Sequence, residues 1–408
     1  MKCRHCGQAL KHSFLDLGTA PPSNAYLTED KLQRAEAWLP LKIMVCNNCW
    51  LVQTQDFTGR ENLFDADYAY FSSCSTSWLQ HAETFVEQMR ARFSLDANSQ
   101  VAEIAANDGY LLQYVQRAGI PCYGIEPTAS TASAARAKGL TIFEHFFGQS
   151  YAQQLAEEGR SADLLVANNV LAHVPDINDF VSGFTALLKP HGVASFEFPH
   201  LMNMIRLNQF DTAYHEHYSY LSLSAVNTIF ESCGLQIFDV QELPTHGGSL
   251  RVLAQRSDSA HQAVMPSVAA ILASEAANGV GDLAMYAQAQ QRAQQAKFGL
   301  LAFLLDCRAK GLKVGAYGAA AKGNTFLNFA GVKADLLPYV VDINPHKQGK
   351  YLPGSRIPIV NLSRLMDDRP DIVLILPWNL REEITGQLAA IRAWGGRFAV
   401  AIPSMEVW

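Results

Sequence analysis

The sequence predicts an α/β chain in three parts: a small zinc-binding N-terminal domain, a Rossmann-like domain built on a parallel sheet, and a second, C-terminal Rossmann-like α/β domain. Three observations carry this. Two C-x2-C pairs, Cys3/Cys6 and Cys46/Cys49, stand within the first fifty residues. From Tyr68 to about Leu243, strand-length apolar runs alternate with helical patterns, as in a parallel sheet with crossover helices. After about His246 a second alternation of the same kind follows. The expected parts are residues 1–65, 66–245 and 246–408. The length of 408 residues agrees, since about 150 residues per domain makes two to three domains.

Residues 1–65 are short-ranged, with the cysteine pairs and Pro21-Pro22 but few long periodic runs. In the middle part the expected strands are 100–104, 122–125, 164–167 and 192–198. An Ala/Gln-rich helical stretch spans 265–305. The last part places strands at 313–317, 338–342, 372–376 and 397–402. A composition of 49% apolar and 17% charged residues supports several buried cores and excludes a disordered, collagenous or coiled-coil chain. No apolar run approaches the roughly 18 residues of a membrane span, and the N-terminus lacks the apolar stretch of a signal peptide. The net charge of −6, from 32 basic and 38 acidic residues, argues against nucleic-acid binding, which needs a basic surface. Four of eight cysteines are paired and the rest scattered, which is a cytoplasmic metal-site pattern and not a disulfide framework.

Each C-x2-C knuckle can aim two sulfurs at one ion, and two knuckles make the tetrahedral S4 set that zinc prefers. Such a set leaves no position for water, so the zinc is expected to be structural. The 39-residue linker is long, but loop closure grows costly only slowly with length. His5 is expected to be a bystander.

Glu103-Ile104-Ala105-Ala106-Asn107-Asp108-Gly109-Tyr110-Leu111 reads as strand, tight turn and helix start. Small residues there let backbone approach a ligand. Glu126, at the end of the next strand, can accept from two ribose hydroxyls. NAD would need the glycines of G-x-G-x-x-G for its pyrophosphate. This turn lacks them and carries Glu103 and Asp108, acids that repel a pyrophosphate and suit a sulfonium with its α-ammonium. S-adenosylmethionine is therefore favoured over NAD, with Glu103, Ala105, Asn107, Gly109, Tyr110, Leu111 and Glu126 as its candidate contacts. Asn168 and Asn169, where another strand runs into a turn, are expected near the methyl group, and His173 lines the site or serves the fold.

Tyr214-His215-Glu216-His217-Tyr218 packs two imidazoles, a carboxylate and two phenols together. A metal site there lacks a third ligand at helical spacing. A general base fits better, because an imidazole titrates near neutrality and a carboxylate can orient it. Tyr68 and Tyr70 upstream could donate to a developing oxyanion.

Taken together, the cysteine pairs, the Glu103–Leu112 turn, the Tyr-His-Glu-His block, His246-Gly247-Gly248-Ser249-Leu250-Arg251, Gly315–Asn324 and Asp342–Gly349 resemble the sugar C-methyltransferases of deoxysugar biosynthesis over nearly the whole chain. The resemblance implies a zinc domain, a domain holding S-adenosylmethionine, and a C-terminal domain that helps hold a nucleotide-linked keto-sugar. It implies catalytic roles for Tyr214, Glu216 and His217 and for an upstream tyrosine, here Tyr70. It implies substrate contacts drawn from Tyr68, His173, His215, Arg251, Lys322, Asn324 and Lys347. His217 would deprotonate the carbon beside a ketone, Glu216 would orient it, and the resulting enolate would be methylated, most simply at C3 beside a C4 ketone. A monomer or weak dimer is expected.

The C-terminal glycine turn, Gly315–Gly323, follows a strand and has Asp342 at the end of the next. Tyr317 takes the second glycine position of a dinucleotide fingerprint. A sugar-nucleotide diphosphate on helix amides and Lys322 competes there with a structural turn. Two rival readings stay open from the residues: an NAD-dependent nucleotide-sugar oxidoreductase using this turn, and a non-enzymatic zinc-ribbon interaction protein.

Overall fold

The structure is a computed structural model that describes residues 1–57 and 71–408. Three sheets organise these residues. The first is antiparallel and runs His12–Ala20, Leu39–Val45, Val52–Thr54, Ser219–Tyr220. Its last strand comes from the middle of the chain and follows directly on the Tyr-His-Glu-His block. The second sheet runs Leu235–Leu243, Ser249–Arg256, Leu188–Pro199, Ala162–Asn168, Val101–Ile104, Cys122–Ile125, Ile142–Phe143. All its strands are parallel except Ser249–Arg256, which is antiparallel to both neighbours. The third runs Ile359–Val360, Val340–Val341, Val314–Tyr317, Ile372–Ile375, Arg397–Val400, Glu406–Val407, parallel apart from the last pair.

Every expected strand is present, although 338–342 shortens to Val340–Val341. The Ala/Gln-rich stretch forms helices Pro266–Ala277, Leu283–Ala287 and Ala289–Ala309. The N-terminal sheet and the hairpin Leu235–Leu243/Ser249–Arg256 were not foreseen. The seven-stranded sheet therefore runs on past residue 245, where the sequence placed a division. Its sharp turn at 245–248 reads as an ordinary linker in sequence because it contains no two-residue hairpin signal.

Burial explains how the parts are held. Strand residues of the seven-stranded sheet such as Phe196 and Phe198 are fully covered, as expected for a parallel sheet with helices on both faces. A second core joins Phe14, Leu15 and Ile43 of the N-terminal sheet, Leu201, Phe210 and Tyr220 of the middle segment, and Leu300, Phe326 and Leu374 of the C-terminal unit. The segment 201–220 is thus clamped from both ends of the chain. Among the described residues no helix is long and apolar enough to cross a membrane.

Candidate active site

The four expected sulfurs come together: the Sγ atoms of Cys3, Cys6, Cys46 and Cys49 lie within 4.8 Å of one another. Cys3 and Cys49 stand at 3.5 Å, as do Cys6 and Cys46. Gln53 Nε2 donates to Cys3 Sγ at 3.2 Å. The Cys3–Cys49 contact above all, then the Cys6 backbone and Gln53, hold the Cys3 thiol down, to about 4. Four converging sulfurs, with Cys3 held toward the thiolate, fit a structural zinc and leave no open coordination position. The knuckles also grip the rest of the protein. His5, taken for a bystander, pairs its Nδ1 with Asn178 Oδ1 at 2.8 Å. Arg4 donates to the Thr54 carbonyl at 2.8 Å and lies 4.8 Å over the Tyr218 ring.

The turn after Val101–Ile104 is strained. Ala105, Asn107 and Gly109 take φ of +57°, +50° and +76°, a region costly for alanine. A Cβ at Gly109 would run into the Leu140 side chain, so glycine is required there. Glu126 accepts from the backbone N–H of Asn107 and of Thr128, both at 2.9 Å. Its position at the strand end is the one expected for a ribose acceptor. Glu103 is buried, and both carboxylate oxygens lack a partner among the described residues; so do both amide atoms of Asn168 and the Asn169 Oδ1. Burial pushes the Glu103 carboxyl well above the usual range, with Asp108 and Glu126 adding to it. Buried polar groups left this bare are costly unless a ligand satisfies them. A cationic amino-acid end beside Glu103 and a ribose on Glu126 do so, which fits S-adenosylmethionine. Of the other expected contacts, Tyr110 is buried with its ring 5.8 Å from Trp78. The Leu111 side chain is sealed in the core.

The Tyr-His-Glu-His block is a turn, closed by the His217 N–H on the Tyr214 carbonyl at 3.0 Å. The turn separates the two histidines. His215 points to the N-terminal sheet, its Nε2 on the Leu39 carbonyl at 3.3 Å. His217 faces His173, with ring centroids 4.6 Å apart, and Tyr214 at 3.9 Å. Its Nδ1 donates to the Thr212 carbonyl at 2.9 Å, which leaves the lone pair on Nε2. Burial and then His173 push its pKa well below the usual range, so the ring is a neutral base. The hydrogen bond on the His217 ring is to the Thr212 carbonyl, whereas the sequence reading expected Glu216 to orient it. The Glu216 carboxyl accepts from Asn24 at 3.3 Å, with its Oε2 unpartnered among the described residues and its pKa raised by burial. His173 Nδ1 pairs with the Glu216 carbonyl at 2.8 Å, and burial pulls its pKa to about 4. Strand Val52–Thr54 supports the block from behind: Thr54 Oγ1 donates to the His217 carbonyl at 2.6 Å. The zinc knuckle at Cys46–Cys49 leads straight into that strand.

The expected substrate residues divide. Lys322 reaches the histidines: its charge acts on His217 and His246, while Nζ donates to Asn379 Oδ1 at 2.7 Å and lies 4.7 Å over Trp378. Trp378 Nε1 in turn donates to Asp211 at 2.8 Å. Burial raises the Asp211 carboxyl to about 6. Arg251 is committed to Glu197 at 3.1 Å and to His81. Asn324 Nδ2 donates to the Ser23 carbonyl at 2.7 Å. Lys347 Nζ donates to the Ala319 carbonyl at 2.8 Å and pairs with Asp342 at 3.9 Å. Tyr68 and Tyr70 lie outside the described residues. Sequence reasoning did not single out Thr212, Thr54, Asp211, Trp378 or His246 as individual site residues. The signal for His246 was present in the two glycines that follow it.

The seven-stranded sheet with its acid-lined turn is the frame of an S-adenosylmethionine-dependent methyltransferase. Family models agree segment by segment: a zinc binding domain over residues 3–64, a methyltransferase domain over 78–240, and a C-methyltransferase C-terminal domain over 244–403. The C-methyltransferase NovU of Streptomyces niveus is 32% identical over 406 residues, covering 100% of this chain and 96% of that protein. The chain belongs to this C-methyltransferase family. Among solved structures, magnesium protoporphyrin IX methyltransferase (ChlM) from Synechocystis PCC 6803 with bound SAM gives a TM-score of 0.36 at 15% identity, over 50% of this chain and 100% of that one. The PH0226 protein from Pyrococcus horikoshii OT3 gives 0.39 at 12%, over 49% and 100%. Likenesses this small carry no argument.

Proposed function

We propose that the chain methylates carbon 3 of a nucleotide-linked 4-keto-deoxysugar. The observation that carries this reading is the neutral His217 imidazole, its Nδ1 tied to Thr212 and its Nε2 left basic. A carbon becomes nucleophilic only with carbanion character, and a C–H beside a ketone is the mild way to obtain it. His217 takes that proton, and the electron pair moves to the ketone oxygen. S-adenosylmethionine, when bound, supplies an electrophilic methyl group, and Glu103, Asn168 and Glu126 are the residues that would hold it. Tyr214, against the His217 ring, and Tyr70 are proposed to touch the sugar; His173 positions His217. The free Oε2 of Glu216 is proposed as an acceptor for a sugar hydroxyl. Lys322 is proposed to face the nucleotide sugar; His215 on Leu39, Arg251 on Glu197, Asn324 on Ser23 and Lys347 on Ala319 are proposed to brace the surroundings of the site.

The test is incubation with S-adenosylmethionine and a panel of nucleotide-linked 4-keto-deoxyhexoses. One sugar should gain the mass of one methylene, with the label at C3 by NMR. No mass gain in any panel member, or methylation on oxygen, would refute the reading.

A further inference from the structure

His246 is a partly buried imidazole on a strained turn. It takes φ +54° and ψ +23°, a left-handed conformation unusual for histidine. The next two residues leave it no relief. A Cβ at Gly247 would come within 2.6 Å of the Trp378 ring, and one at Gly248 would strike Asn203. The turn is therefore held down from both sides, by the C-terminal unit and by the helix Leu201–Arg206. Strain that is so firmly maintained tends to mark a working residue.

Among the described residues the imidazole has neighbours but no hydrogen-bond partner. Its ring lies 5.1 Å from Trp78, which stacks at 5.8 Å on Tyr110 of the cofactor turn. It is within electrostatic reach of Lys322 and of His217. The residue as a whole is partly exposed. The ring thus lies beside Trp78 on the side of the cofactor turn, and its turn packs through Gly247 on Trp378, the ring that Lys322 covers. Burial, and then Lys322, pull its pKa to about 4, so it is neutral at pH 7 and still carries one N–H.

We infer that His246 is a catalytic residue, the neutral N–H donor that holds the ketone oxygen while His217 removes the adjacent proton. This rests on the keto-sugar reading above. The step balances within the two rings: the C–H bond breaks, its proton goes to His217 Nε2, its electron pair forms the C=C bond, and the carbonyl pair moves to oxygen. His246 keeps its proton and donates it as a hydrogen bond to that oxygen. A neutral imidazole is suited to this, because it polarises a carbonyl without protonating it. A donor preorganised at a developing oxyanion is commonly worth about 10²- to 10³-fold in rate.

The test needs no methyl donor. In deuterium oxide the wild-type enzyme should exchange the proton beside the ketone of the panel sugar it methylates. His246→Asn keeps a residue that tolerates the left-handed turn, and should slow exchange about 10²-fold while S-adenosylmethionine binds within threefold of wild type by calorimetry. His246→Gly, free at this φ, should lose exchange and regain it with added imidazole, which a merely structural role would not allow; it carries the test if the Asn variant does not fold. Exchange within threefold of wild type in His246→Asn, or a loss in His246→Gly that imidazole leaves untouched, overturns the assignment. If the wild type neither exchanges nor methylates any panel sugar, the keto-sugar reading fails and this one with it. Wild-type turnover with an unimpaired His246 variant removes only the role of His246.

Discussion

The two parallel-sheet units place the same device at the same point and use it differently. In the first, Glu126 at the end of the second strand accepts from the N–H of Asn107 in the turn and of Thr128 two residues on. In the second, Asp342 accepts from Ala319 in the turn and from Asn344 two residues on, both at 2.8 Å. In front of Glu126, among the described residues, the Glu103 carboxylate and the Asn168 amide have no geometric hydrogen-bond partner, with only the Tyr110 hydroxyl near both. In front of Asp342 it closes the space: Lys347 and the Tyr26 hydroxyl both donate to the Ala319 carbonyl, at 2.8 and 2.6 Å. A nucleotide-binding turn is thus recognised by what it leaves unsatisfied, and turn geometry alone does not identify it. The second unit acts as a carrier that brings Lys322, Trp378 and Asn379 to the histidines. The dehydrogenase-like use of this turn, considered from the sequence, finds its place taken by the protein's own groups.

The contrast can be broken experimentally. His217→Asn should show the largest effect, a fall in kcat of about 10²- to 10⁴-fold, the span of general-base catalysis, with S-adenosylmethionine affinity unchanged by calorimetry. Unimpaired turnover would remove His217 from the base role. Glu126→Ala should weaken S-adenosylmethionine binding about 100-fold, a loss of roughly 3 kcal/mol for a charged acceptor. Asp342→Asn should leave that affinity within threefold and lower Tm. Equal losses of affinity at the two acids would erase the distinction between the units.

Stripping the metal with a chelator should abolish turnover more readily than cofactor binding. The knuckles brace Val52–Thr54, which holds the His217 carbonyl, whereas the cofactor turn stands on other strands. Calorimetry and turnover on the same chelated sample decide this, and a parallel loss of both would contradict it.

The smallest effect concerns pH. His173 and His246 are held near 4 in the fold against about 6.5 when unfolded. Above about pH 6.5 both states are neutral and nothing changes. Between roughly 6.5 and 4 the unfolded chain binds the extra protons, so stability falls as pH falls. Tm should decline across that window, and less steeply in a His173→Asn/His246→Asn double variant. Identical slopes would show that other groups govern the acid limb.

Much was legible in the residue order. C-x2-C spacing is a short-range property, and it placed the metal site correctly. Buried parallel strands read as continuous apolar runs, so eight of them could be found. Acids at a turn and at the next strand end pointed to a sulfonium ligand for the same local reason. What could not be read arises from long-range contacts. Ser219–Tyr220 is too short to signal a strand, and becomes one only because Val52–Thr54 lies beside it. His215 and His217 look equivalent, and a single turn sends one to Leu39 and the other to Thr212.

The sequence by itself determined the local chemistry: which residues can ligate, which turn can take a cofactor, and which strands must be buried. The tertiary structure alone decided which of the available imidazoles and carboxylates are left without partners. That depends on carbonyls and side chains contributed from three parts of the chain, such as Thr212, Asn24 and Asn379. Whether a polar group acts as a base, a donor or a brace is settled by which of its hydrogen bonds the fold completes and which it leaves for a ligand.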